Sequence, residues 1–265
     1  SGPSGRFFLL ELSMTAAAPI GLMSAMHEEL ALLLAAMPDE QRVSVGGRDF
    51  WQGHWQGQAV VVVLSRIGKV AAATTATALI ERFGVDRVVF TGVAGGIGRG
   101  VRVGDVVLAD SFVQHDMDAS PLFPRHEVPL YGCSRFATDA ALSRGLAAAA
   151  QRVLAQVSAH VGEQAVAEFG LQAPRLHTGL IVSGDRFVST TAECRALQQA
   201  VPEALAVEME GAAVAQVCFD YGLPFAALRT ISDRADDDAH SDFSRFIREV
   251  ASRYSLAMLS DWLRA

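Results

Sequence analysis

The sequence predicts a single-domain α/β fold: a three-layer sandwich with a central, mixed, mostly parallel twisted sheet and helices on both faces. Three observations carry that prediction. Runs such as Ala59-Val60-Val61-Val62-Val63-Leu64 are apolar at every position, as strands buried on both faces are. These runs alternate with Ala/Leu-rich segments of helical length. No repeat, low-complexity linker or shift of composition divides the chain. Its 265 residues are 51% hydrophobic and 19% charged, enough for a large core. A chain of this size buries roughly 75% of its unfolded surface on folding.

Residues 1–17 read as a tag or leader outside the fold, and 18–265 as the domain. The apolar Phe7-Phe8-Leu9-Leu10 is interrupted by Glu11 and makes a poor signal-peptide core. Residues 19–24 (PIGLMS) form a short buried strand, and an Ala/Leu-rich helix opens at Ala25 and stops at Pro38. Glu28 and Glu29 fall in its first turn, where the helix dipole favours an acid by ~0.3–1 kcal/mol. Read alone, that accounts for at least one of them as a surface residue. Residues 41–64 read as antiparallel strands with turns at Gly46-Gly47 and Gln56-Gly57. A helix over 70–83 follows Ser65-Arg66-Ile67-Gly68-Lys69. Gly68-Lys69 looks like the end of a phosphate-binding loop, but position 63 is Val where Gly is needed, and position 70 is Val where Ser or Thr is needed. That motif is rejected.

Residues 86–91 are another buried strand. They enter Gly92-Val93-Ala94-Gly95-Gly96-Ile97-Gly98-Arg99-Gly100, read as a loop whose glycines let a ligand approach the backbone. The spacing is not G-x-G-x-x-G, which argues against a dinucleotide site. A strand over 104–110 leads into residues 114–132, a long irregular segment with three prolines, of the kind that is functional or interfacial. His115, Asp116 and Asp118 lie there, but no matching ligands occur elsewhere, so the segment reads as a polar loop without a metal. Residues 138–168 form an Ala-rich helix, and 177–182 a strand ending in Ser183-Gly184-Asp185-Arg186-Phe187-Val188. Residues 204–210 form a strand, 211–221 a helix, and 224–231 a strand that bears Arg229 and ends at Ser232-Asp233. From 241 to the end runs an amphipathic helix with Phe243, Phe246, Ile247, Val250 and Tyr254 on one face.

Composition excludes several classes. A net charge of −7 disfavours a nucleic-acid backbone as partner. Three cysteines without C-x-x-C spacing suit reduced thiols in a cytoplasm, not a disulfide scaffold or a zinc site. No apolar run reaches the ~18 residues of a membrane span.

The chemistry centres on Val207-Glu208-Met209-Glu210-Gly211, where two carboxylates stand between a buried strand and a helix. A charge taken out of water needs a partner or a polar ligand. In open α/β sheets ligands bind at the carboxyl ends of strands. There this chain offers Glu28/Glu29, the Gly92–Gly100 stretch, Phe187/Val188, Met209/Glu210 and Ser232/Asp233. It has no G-x-S-x-G elbow, Cys/His pair or cofactor loop. Carboxylates alone suit a dissociative substitution at a sugar carbon, one activating water, one holding hydroxyls, one protonating the leaving group.

Five motifs in register, Ala25-Met26-x-Glu28-Glu29, Thr91-Gly92-x-Ala94-Gly95-Gly96, Ser183-Gly184-Asp185-x-Phe187, Ala206-Val207-Glu208-Met209-Glu210 and Arg229-x-Ile231-Ser232-Asp233, resemble bacterial 5′-methylthioadenosine/S-adenosylhomocysteine nucleosidases over residues 19–265. The resemblance implies the nucleoside phosphorylase/hydrolase-like fold, no cofactor, and release of adenine by hydrolysis in methionine salvage. By that resemblance Glu29 activates water and Asp233, supported by Ser232, protonates adenine. Met209 and Glu210 bind the ribose, with Arg229 near Glu210 and the water. Gly95 lies near the ribose, Phe187 stacks on the base, and Val188 contacts it through the backbone. Met26, Ile67 and Phe243 line the alkylthio pocket. Phe123 reaches the neighbouring subunit's site in a homodimer. The sequence departs from the family pattern at His27, at Val93 and in the wording of 114–132. A phosphorylase acting on purine nucleosides or methylthioadenosine, a futalosine-type hydrolase, and an inactive nucleoside-binding module remain the alternatives.

Overall fold

The structure, a computed structural model, describes residues 17–235 and 243–265. Nearly all of the segment read as a tag or leader, and the acidic run Asp236-Asp237-Asp238, lie outside the described residues. In chain order the elements are β1 (Ile20–Ser24), α1 (His27–Ala35), β2 (Gln41–Val45), β3 (Arg48–Trp55), β4 (Gln58–Leu64), α2 (Lys69–Phe83), β5 (Arg87–Thr91), β6 (Val93–Gly96), β7 (Val106–Gln114) and β8 (Arg135–Ala137). There follow α3 (Ala140–Leu154), α4 (Val157–Val161), α5 (Glu163–Glu168), β9 (Leu176–Ser183), α6 (Thr191–Ala200), β10 (Ala204–Glu208), α7 (Gly211–Asp220) and β11 (Phe225–Asp233). The chain ends in α8 (Phe243–Phe246), a π-helical turn (Ile247–Ala251) and α9 (Ser252–Arg264).

The strands form one mixed sheet in the order β2-β3-β4-β1-β5-β11-β6-β10-β9-β7-β8. Strands β4, β1, β5 and β11 run parallel, and β10, β9 and β7 are parallel among themselves. Strand β7 also pairs antiparallel with β11, so β11, β6, β10, β9 and β7 curl into a ring. Period-two alternation explains the fully apolar β4. Val60 and Val62 join the cluster formed with α1, α3 and α9, whereas Val61 and Val63 join the cluster formed with α2 and α7. Each such burial is worth roughly 1.5–3 kcal/mol. The carboxyl ends of β1, β4 and β5 share one rim, and the residues that follow β9 and β10, which run against β11, meet the end of β11 there.

The structure departs from the sequence reading in several places. The start of the glycine-rich stretch is strand β6, parallel to β11 and antiparallel to β10. Its glycines admit neighbours that a side chain would displace: a Cβ at Gly96 would stand 2.9 Å from Ile231 Cγ2. The long helix over 138–168 is three helices, broken at Gln156 and at Gly162, whose φ of 89° is unfavourable for residues with a Cβ. Strand β10 stops at Glu208, and Met209 and Glu210 form the turn into α7.

Candidate active site

A cavity of ≈ 720 Å³, open at its mouth, lies on this rim. Ten of the predicted site residues line it: Met26, Ile67, Gly95, Phe187, Val188, Met209, Glu210, Ser232, Asp233 and Phe243. Glu29 and Arg229 do not line it and are fully buried in the wall behind. Phe123 sits on the irregular segment after β7, away from the cavity lining.

Glu29 enters the core from the first turn of α1. Ser24 Oγ donates to its Oε2 at 3.0 Å, and Ser255 Oγ, from α9, donates to Oε1 at 3.0 Å. Burial pushes its pKa up, against the lowering effect of both hydroxyls and of Arg229. The surface-acid account of Glu29 therefore fails; its neighbour Glu28 is only half-buried.

Asp233 ends β11 with both carboxylate oxygens engaged. Ser232 Oγ donates to Oδ2 at 2.8 Å, and the Ala235 N–H donates to Oδ1 at 2.7 Å. Gly95 packs against this group. A Cβ there would meet Ala235 Cβ at 2.8 Å and Asp233 Oδ1 at 3.1 Å, so only glycine leaves the carboxylate in place.

The two acids of the central motif separate in role. Glu210 faces the cavity and accepts the Gly68 N–H at 2.9 Å. Burial, and then the charge of Glu208, raise its pKa to about 7. Glu208 borders the same cavity but is anchored in the core. It accepts the Gly211 N–H at 2.8 Å, the Ser183 hydroxyl, and Arg229 Nη2 at 2.9 Å. The salt bridge of Arg229 is to Glu208, and its charge also acts on Glu210. The guanidinium also lies 4.0 Å from the ring centroid of Phe90 and donates to Phe90 O and Leu228 O. Its Nε has no hydrogen-bond partner among the described residues.

The match to known proteins follows this geometry. The family model described as the phosphorylase superfamily matches residues 19–260. Over 238 residues, 89% of this chain and 95% of the relative, it is 37% identical to the 5′-methylthioadenosine/S-adenosylhomocysteine nucleosidase of Marinomonas sp. (strain MWYL1). The chain belongs to this nucleosidase family of the phosphorylase superfamily. Two solved structures agree with the nucleosidase fold. The nucleosidase of Neisseria meningitidis, in complex with methylthio-immucillin-A, has a TM-score of 0.80 at 34% identity, covering 93% of this chain and 99% of that one. The futalosine hydrolase of Helicobacter pylori has a TM-score of 0.77 at 32% identity, covering 92% and 96%.

Ser232 beside Asp233 was legible in its motif, but sequence reasoning missed the hydroxyls that hold Glu29 and Glu208. Ser24 adjoins a quoted motif and Ser183 belongs to one, so both were within reach. Ser255 is 226 positions from Glu29, on a helix read only for its apolar face, and no local signal points to it.

Proposed function

We propose that this chain hydrolyses the N-glycosidic bond of 5′-methylthioadenosine and S-adenosylhomocysteine, releasing adenine and the 5-thioribose product. One observation carries the reading: Glu210 and Asp233 line a single cavity whose wall holds the buried Glu29.

In this reading water adds to the anomeric carbon as the bond from that carbon to adenine N9 breaks. Glu29 takes the water proton, and burial, which raises its pKa above the ordinary carboxylate range, makes it a stronger base. The leaving electron pair goes to the purine, which takes a proton at N7 from Asp233. The Ala235 N–H fixes Oδ1 as an acceptor. Oδ2, beside the rotatable Ser232 hydroxyl, is then the oxygen that carries the proton. Met209 and Glu210 hold the ribose, and Gly95 lets it approach the wall. The charges of Glu29 and Glu210 stabilise the oxocarbenium-like transition state. The unpartnered Nε of Arg229 supports a role in holding the water. Phe187 stacks on the base and the Val188 backbone contacts it. Met26, Ile67 and Phe243 form an apolar end suited to an alkylthio group. In a homodimer, Phe123 on the 114–132 segment reaches the neighbouring subunit's site. The protein works in the cytoplasm, in methionine salvage, without a metal or cofactor.

Product analysis with and without phosphate tests the reaction. Adenine and a free thioribose, at a rate independent of phosphate, are expected. Release of a ribose 1-phosphate only when phosphate is present would show a phosphorylase instead. Glu29 and Val93 make a poor anion cradle, which favours water. A panel including 5′-deoxyadenosine and futalosine ranks the 5′ substituents.

A further inference from the structure

The donor that reaches Glu210 from another element is the Gly68 N–H, in the turn between β4 and α2. What fixes this turn lies outside the cavity. The Lys69 N–H donates to Asp185 Oδ1 at 2.8 Å, and the Asp185 N–H donates to Asp116 Oδ2 at 2.9 Å. Lys69 Nζ closes the circuit, donating to Asp116 Oδ1 at 2.6 Å and to Gln114 Oε1 at 3.0 Å. Gln114 in turn donates from Nε2 to Gln216 Oε1 on α7 at 2.7 Å. The loops after β4, β7 and β9 are thereby joined in one closed ring of bonds.

The ring's energetics differ from those of a surface ion pair. The side chains of Lys69 and Asp116 are only 15% and 26% exposed, so water screens them weakly. One ammonium serves a site with two carboxylates, Asp116 and Asp185. Arg186, next to Asp185, is engaged by Glu193. Without the ammonium, the two acids on adjoining loops repel. The Asp185 carboxylate then leaves the Lys69 N–H, and Gly68, one residue earlier, turns its own N–H away from Glu210. Gly68 stands at φ 94°, which favours glycine, and Asp185 Oδ1 lies only 3.1 Å from where a Cβ would be, so the carboxylate packs closely against this turn.

We propose that Lys69, Asp116 and Asp185 are positioning residues that aim the carboxylate of Glu210 at the ribose through the Gly68 amide. This rests on the reading of Glu210 as the ribose-holding acid.

The test compares methylthioadenosine hydrolysis with inhibition by free adenine, which has no ribose to contact Glu210. In Lys69→Met, kcat/KM falls about tenfold through KM, the equivalent of about one charge-assisted hydrogen bond. The inhibition constant of adenine stays within about twofold. Asp116→Asn, which keeps an acceptor for the Asp185 N–H, shows the same split, and Lys69→Arg restores most of the loss. If KM is unchanged in both Lys69→Met and Asp116→Asn, or if nucleoside and adenine weaken together, the proposal is overturned. Glu210→Gln separates the two levels. Full nucleoside affinity in that variant overturns the reading of Glu210 and this proposal with it. Weak affinity there beside normal Lys69→Met and Asp116→Asn overturns the positioning role alone.

Discussion

Arg229 shows how the site keeps several carboxylates in a dry wall. Its guanidinium is paired to Glu208, and its charge lowers the pKa of Glu29 and Glu210 while burial raises both. The identity of this residue was legible in its motif, but its partner was not, because Glu208 and Glu210 both sit at the end of β10 and only the fold decides which one turns inward. Removing one member of a buried pair strands the other charge. The catalytic roles proposed for Glu29 and Asp233 give the first prediction: Glu29→Gln and Asp233→Asn each lower kcat by about 10²–10⁴ with the circular dichroism spectrum unchanged. Near-normal adenine release from either variant would remove that residue from the mechanism. Glu210 gives a second, in stability. Its pKa rises from the ordinary 4.5 to about 7 on folding, so the folded state holds the proton more tightly. This contribution is fully present below about pH 4.5 and is lost as pH rises towards 7, with an upper bound of about 3 kcal/mol. Chemical denaturation should therefore show Glu210→Gln gaining stability relative to the parent between these pH values and holding a constant difference above them. A difference that stays flat across the window would mean that Glu210 is ionised at its ordinary pKa.

At the level of elements, continuous apolar runs and the turn-marked strands over 41–64 were readable, whereas the very short or glycine-rich strands were not. Strands β1, β4, β5, β9 and β11 each carry a continuous buried run, which periodicity detects. Strand β6 is Val-Ala-Gly-Gly, with the composition of a turn, and only its neighbours β11 and β10 make it a strand. Strand β8 has three residues, and α6 is mostly polar and exposed with Cys194 and Leu197 as its buried contacts, so neither gives a strong periodic signal. The cost of misreading β6 is functional, because its glycine is what lets Asp233 reach the cavity. Gly95→Ala should destabilise the domain by about 1–3 kcal/mol, since the new methyl overlaps Ala235 and crowds the Asp233 carboxylate. Turnover should fall by more than stability alone explains. Thermal melting and adenine release on the same sample read both, and unchanged values in each would mean that β6 has room the packing does not show.

For the whole molecule, the positions of its exposed apolar side chains bear on assembly. Ile67 and Val70 flank Lys69 at the mouth of the cavity and are 66% and 78% exposed. Leu122 and Leu130, on the segment between β7 and β8, are 84% and 92% exposed. The ion pair of Lys69 with Asp116 ties that segment to the cavity rim. Large apolar groups so bare in water beside a site are what a partner chain would cover in the proposed homodimer. The proposed homodimer, in which Phe123 on the same segment would enter the neighbouring site, would supply that cover and close the open mouth with apolar side chains. Burying Leu122 and Leu130 fully is worth roughly 1.5–3 kcal/mol each, and a two-fold interface counts each of them twice. Sedimentation should thus give twice the chain mass for the parent protein, whereas Leu122→Asp combined with Leu130→Asp should give one chain. KM for methylthioadenosine should rise at least tenfold in that monomer, while adenine, which the proposed function seats against Phe187, inhibits as before. A parent protein that sediments as one chain and turns over fully would show that the site is complete within a single subunit.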